Sequence, residues 1–237
     1  GTDPAHQEEH HRYLAFRKVR HTILRLIGDH YRRPKGTQRS WQGCDLDLTG
    51  VTIDDDMDFN GATFSGGTVS FDGATFSGGT VSFDGATFSG GTVSFGSATF
   101  AGGDVLFDGA TFSGGTVSFR SATFSGGGVS FDGATFSGGT VSFRSATFSG
   151  GGVYFQGATF SGDGVYFHGA TFSGGTVSFH GATFSGSDVS FHGATFSGGD
   201  VSFDRTIGSA PQGLLAAVGA PPPSGVTLPS AWLLSAP

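Results

Sequence analysis

From residue 59 to residue 203, apolar and polar positions recur in a fixed order, F-x-G-A-T-F-S-G-G-x-V-x, lightly edited, twelve times over. Within the first unit Ala62 and Phe64 flank Thr63, and Val69 and Phe71 flank Ser70. Each short run therefore sets its apolar side chains on one side and its polar one on the other, the period of a half-buried β-strand. "SGG" and "DG" separate the runs, so a unit predicts strand, tight turn, strand, tight turn, with glycine supplying the positive φ that reversals need. So small a unit has no interior of its own and buries its apolar side only by stacking on its neighbours.

Stacking predicts an all-β fold, a parallel β-solenoid (a right-handed β-helix) with an N-terminal amphipathic α-helix. Its core ladder is read as Phe64, Val69, Phe71, Phe76, Val81, Phe83 and Phe88. One unit per coil gives about twelve coils of 12 residues and a rod of roughly 55–60 Å at the usual strand spacing. Two units per coil gives the alternative, 24 residues and about six coils, which the alternation of "FDG" with "FRS" over 107–154 suits. The charges favour 12, because Asp108, Arg120, Asp132 and Arg144 then form a column of alternating sign. At 24, Asp108 stands by Asp132 and Arg120 by Arg144. The 12-residue coil is the expectation adopted.

The flanks differ in pattern. Residues 1–40 form a basic head, whose segment 5–33 reads as an amphipathic helix. Phe16, Val19, Ile23 and Leu26 make its stripe, widened by Leu24 and Ile27, with Arg12, Arg17, Lys18, Arg20 and Arg25 on much of the remainder. The stripe is expected to dock on the rest of the protein. Residues 41–58 are a transition coil with strand-like pairs Leu46/Leu48, Val51/Ile53 and Met57/Phe59. Residues 59–203 are the repeat, and 204–237 a Pro-rich tail expected to cover the last coil.

Composition adds a charge split. Residues 1–40 carry a net +5 and residues 41–237 a net −12, summing to −7. The head thus offers residues 12–39 as a contact for an anionic membrane surface. The acidic rod is not expected to bind nucleic acid directly. The lone Cys44 excludes an internal disulfide, and no stretch is long and apolar enough to span a membrane.

The array resembles the pentapeptide-repeat proteins, whose units read as a small residue, one spacer, then Leu or Phe. "ATFSG" fits that unit wherever it occurs, and "LDLTG" with "VTIDD" at 46–55 fits it too, while "GTVSF" stretches the Phe-to-Phe spacing to 5, 7, 5, 7. The head "RHTILRLIGDHYRR" followed by "SWQG" resembles a bacterial, actinobacterial group of unassigned function, which implies a cytoplasmic or membrane-associated protein.

For function, a column of near-identical residues lacks the converging, dissimilar groups that catalysis needs. An enzyme, a cofactor and a small-molecule substrate are therefore not expected. The leading reading is a structural or interaction scaffold for an unknown protein partner. His168, His180 and His192 share a turn position and are metal-ligand candidates on a 12-residue coil, against simple drift at a solvent-facing turn. The Thr-x-Ser positions Thr63, Ser65, Thr75, Ser77, Thr87, Ser89, Thr111, Ser113, Thr123, Ser125, Thr135 and Ser137 form a candidate binding face. It resembles the Thr-x-Thr face of beetle β-solenoid antifreeze proteins. The opposite exterior is irregular, with Asp104, Leu106, Tyr154, Tyr166, Asp188 and Asp200. Finally, the acidic body resembles that of the gyrase-binding, DNA-mimicking pentapeptide-repeat proteins.

Overall fold

A computed structural model describes residues 4–233 except 163 and 186–188, and leaves the side chains of residues 4, 5 and 17 undescribed. Every strand pair in it is parallel, arranged as a 10-stranded and a 13-stranded sheet. Register shows the coil length directly: Thr87 pairs with Thr63 and Thr111, and Val117 with Val93 and Val141. Phe64 stacks face-on with Phe88 at 4.9 Å and Phe71 with Phe95 at 4.9 Å. The coil is therefore 24 residues, not 12, and the stack has about 7 turns. At the usual strand spacing this is a rod of roughly 33 Å, not 55–60 Å.

Two physical reasons favour the longer coil. First, its interior holds four Phe columns, so each ring has both a face partner and edge partners. Phe83 stacks on Phe107 at 4.8 Å and meets Phe95 edge-on at 6.2 Å and 88°. Those are the offset and T-shaped arrangements that ring quadrupoles prefer. All seven residues of the expected core ladder are buried, as are the Ala and Val columns beside them. Second, successive half-coils have unlike backbones. "TFSGGTVS" runs as one bulged strand over Thr63–Ser70, whereas the next half-coil breaks into Thr75–Phe76 and Thr80–Ser82. An unbroken strand stacks best on another unbroken strand, which lies two units away.

The tip sequence and that of its neighbour one coil away together decide which form a half-coil takes. Tips reading SGGT or SGGD with a like neighbour one coil away give continuous strands, as at Thr111–Ser118 and Thr171–Ser178. Tips reading SGGG or AGGD break, as at Val129–Ser130 and Asp104–Leu106. The "SGG" positions are thus not uniformly the tight turns expected from sequence. The reversals lie at F-x-G-A, where Ala110 N–H donates to Phe107 O at 3.0 Å. Gly109 takes φ 64° there, the left-handed third position of a type II turn.

At the same point of three coils serine replaces that glycine, and Ser97, Ser121 and Ser145 adopt φ 54°, 58° and 57°. A Cβ is disfavoured in that region by roughly 1–2 kcal/mol. Ser121→Gly is expected to raise stability by about 1 kcal/mol, read as a higher urea midpoint at unchanged m-value. An unchanged midpoint would remove the strain assignment.

Helix α1 (Pro4–Arg32) closes the N-terminal end, but of the expected stripe only the widening residues Leu24 and Ile27 make the contact. Leu24, Ile27 and Tyr31 are buried on the first coil, while Phe16, Val19, Ile23 and Leu26 stay 44–67% exposed. Tyr31 takes the place of a Phe one coil further on, stacking on Phe64 at 5.0 Å and meeting Phe59 edge-on at 6.0 Å. Burial pushes its phenol up to about 12, and its O–H donates to the Cys44 carbonyl at 3.1 Å. Arg32 ties the helix to Asp58 at 3.1 Å and Arg20 to Asp54 at 2.5 Å. At the far end Trp232 packs on Phe203 and Phe184 and donates its indole N–H to Gly208 O at 2.9 Å.

Candidate interaction surface

A 24-residue coil sorts the exterior into columns that sequence alone merged. The residue after each central Phe falls on two separate edges of the rod. One edge carries Asn60, Asp84, Asp108, Asp132, Gln156, His180 and Asp204, linked by bonds such as Gly109 N–H to Asp132 O and Gly181 N–H to Asp204 O. The other carries Asp72, Gly96, Arg120, Arg144, His168 and His192, linked likewise by Ser121 N–H to Arg144 O and Gly169 N–H to His192 O. The alternating-sign column expected from sequence does not form; of the five acids in these columns four lie on one edge, and both arginines lie on the other.

The acidic edge is held by more than exposed charge. Asp84 Oδ1 accepts from Asp108 N–H at 3.0 Å, Asp108 Oδ1 from Asp132 N–H at 3.2 Å, and Asp132 Oδ1 from Gln156 N–H at 2.8 Å. Ser130 Oγ–H donates to Asp108 as well. Asn60 does the same for Asp84 with a neutral amide, at 3.1 Å. Each side chain thus caps a backbone donor one coil along, and these charge-assisted bonds offset the repulsion that made 24 residues look unfavourable.

Asp132 still shows the cost: burial pushes its carboxyl up, Asp108 adds to this, and the Gln156 N–H opposes it. A folded value above the unfolded one means that ionising Asp132 weakens the fold, and that the penalty fades as pH falls through its folded pKa towards 3.8. Asp132→Asn, which keeps the acceptor, is expected to raise Tm at pH 7 by about 1 °C, the effect being screened at a partly exposed site. The gain should shrink towards pH 4; a constant or reversed difference would contradict the assignment.

The three histidines separate. His168 and His192 share the basic edge with rings 5.9 Å apart, and His168 Nε2 lies 2.8 Å from Ser190 Oγ. Burial, with Arg144 and then His192 nearby, lowers the pKa of His168. His180 lies on the acidic edge, 3.4 Å from Asp204. No three-histidine cluster is formed, and no group that could hold a metal occurs among the described residues.

The Thr-x-Ser positions also divide. Thr63, Thr87, Thr111 and Thr135 form a ladder in one sheet, with Ser65, Ser89, Ser113 and Ser137 beside it. Thr75 and Thr123 belong to the other sheet, with Ser77 and Ser125 just past their strands. Within the first ladder the register slips after each Phe, so Ser65 faces Gly90 and Ser113 faces Gly138. Threonine stacks on threonine but serine does not stack on serine, and the single flat grid expected from a 12-residue coil is absent.

Tyr154 and Tyr166 lie across the positions of Gly152 and Gly164, where an added Cβ would fall 2.3 Å or less from a tyrosine side-chain atom. That explains why "GVY" replaces "TVS" in both places. Asp104 accepts from Gly128 N–H at 2.8 Å, while Asp188 lies outside the described residues.

Sequence comparison now places this architecture. A family model for pentapeptide repeats, in nine copies, matches residues 78–123, 102–141, 119–164 and 163–207, together more than half of the chain. The chain belongs to the pentapeptide-repeat family. Its coil is a stretched version of the repeat: the 5-7-5-7 spacing of Phe residues sums to the 24 seen in the register. No match to a curated protein is found. Two solved structures that the chain matches are the following. A trypsin-treated form of QnrB1, a plasmid-mediated fluoroquinolone resistance protein, is 20% identical over 80% of this chain and 89% of that chain, with a TM-score of 0.30. HetL, a pentapeptide-repeat protein involved in heterocyst differentiation regulation from the cyanobacterium Nostoc, is 13% identical over 70% of this chain and 89% of that chain, with a TM-score of 0.13. Among the described residues no helix is long and apolar enough to cross a membrane.

Proposed function

We propose that this pentapeptide-repeat protein is a non-catalytic scaffold that binds a protein partner along its acidic edge. The observation that carries the reading is the charge sorting itself. Asp84, Asp108 and Asp132 repeat at the strand spacing on one edge, while Arg120 and Arg144 lie on the other. A fixed row of carboxylates steers basic surfaces towards it and orients them. Each column runs along the rod as a row of side chains one coil apart, so it supplies a surface for docking and not a converging set of reacting groups.

A second, finer reading names the partner. The family resemblance and the single-signed acidic edge together support DNA gyrase, whose DNA-binding surface such an edge would imitate. The test is direct binding of purified gyrase to the intact protein, alongside a supercoiling assay. Binding that Asp84→Lys with Asp108→Lys and Asp132→Lys abolishes, and that Arg120→Glu with Arg144→Glu spares, supports both readings. Gyrase binding that ignores both sets removes the acidic edge as the contact. No binding removes gyrase as the partner.

A further inference from the structure

The first half of α1 presents an apolar face that the rod does not cover. Tyr13, Leu14, Phe16, Val19, Ile23 and Leu26 are 44–67% exposed, and four of them lie along one stripe at 3- and 4-residue spacing. The stripe runs beside the docked side of the helix, not along it. It leads into a groove of about 210 Å³ between the helix and the first coil, lined by Ile23, Leu24, Ile27, Leu48, Val51 and Ile53.

We propose that this face pairs with the same face of a second copy, the two helices running antiparallel. The stripe suits itself. With Val19 of one copy beside Arg20 of the other, Phe16 meets Ile23 and Tyr13 meets Leu26 at both ends of a two-fold axis. Phe16, the most exposed of the six, then enters the partner's groove, a rigid aromatic in an apolar pocket of the kind that dominates interface energetics.

Charge also specifies this direction. Glu8 and Glu9 lie in the second turn of α1, and Arg33 stands just past its end. Antiparallel pairing sets the Glu pair of each copy near Arg33 of the other, whereas parallel pairing sets like against like. Arg20, at the crossing point, is already bound to Asp54 and Asp55 of its own first coil. At roughly 100 Å² for each exposed side chain, the five that can face the partner (Tyr13, Phe16, Val19, Ile23 and Leu26) bury about 1,000 Å² over two copies, the least a stable interface needs.

Sedimentation velocity of the full chain at tens of micromolar should show a dimer. Phe16→Glu with Ile23→Glu should give monomer, with the far-UV circular dichroism and Tm of the parent. Orientation is read by disulfide trapping in a Cys44→Ser background. Phe16→Cys mixed with Ile23→Cys should cross-link readily, and Phe16→Cys alone poorly. A monomeric parent overturns the proposal. So does a dimer that survives the Glu pair, or one in which Phe16→Cys alone cross-links best. Flotation of a monomeric parent with anionic phosphatidylserine vesicles would assign the face to lipid instead.

Discussion

Phe107→Ala is expected to destabilise the rod by about 3–5 kcal/mol, the largest loss available from a single side chain. Phe107 is fully buried, stacks on Phe83 and Phe131 at 4.8 Å each, and meets Phe95 and Phe119 edge-on. Its removal leaves a cavity walled by those four rings and by Phe88 and Phe112. Those rings cannot collapse inwards, because each is fixed by its own stack one coil up and down. Urea unfolding gives the magnitude, with Ile207→Ala as the control. Ile207 is 65% exposed, so that change should stay within about 0.5 kcal/mol. A Phe107→Ala cost no larger than the control's would mean that the aromatic columns do not carry the stability.

Gly28→Ala is the second large effect, and its mechanism is crowding. Here α1 passes so close to the first coil that an added Cβ would lie 1.8 Å from the Asp58 carbonyl oxygen. Backbone cannot yield as a side-chain tip does, so the helix must lift. Lifting exposes Leu24, Ile27 and Tyr31 and uncovers Phe59 and Phe64 at the rod's end. The expected cost is about 3 kcal/mol, set by the apolar side chains returned to water. Amide exchange should quicken across residues 20–32 while the coils beyond residue 83 keep their protection. Unchanged protection of that helical segment would show that the close approach is not required.

The in/out pattern of the array was legible in the residues, because a period of two and a recurrent glycine turn leave few ways to bury Phe and Val. The coil length was not. Weighing Asp108 against Asp132 as bare charges ignored what each carboxylate accepts, a backbone N–H one coil along. Sequence spacing gave no sign of those bonds, although Asn60 at the head of the column was a clue, since Asn and Asp share that acceptor. The difference between SGGT and SGGG tips was visible too, but its meaning depended on which tips become neighbours. With the wrong coil, the three histidines and the Thr-x-Ser positions were merged into single columns.

The head misled for a different reason. The 3-4-3 stripe of α1 marks an apolar face but does not say what covers it. The docking contact uses only its flank, Leu24 and Ile27, together with Tyr31, with Gly28 allowing close approach. An isolated glycine inside an otherwise helical run was the available signal, and "IGDHY" carries it.

The central claim is the 24-residue register, and paired cysteines in a Cys44→Ser background test it most directly. Thr111 and Thr135 are Cα partners on neighbouring strands, within the span a disulfide bridges. Thr111→Cys with Thr135→Cys should oxidise to an intramolecular bond in the folded protein, and Thr111→Cys with Thr123→Cys should stay reduced. Closure of the 111–123 pair and failure of the 111–135 pair would contradict the account.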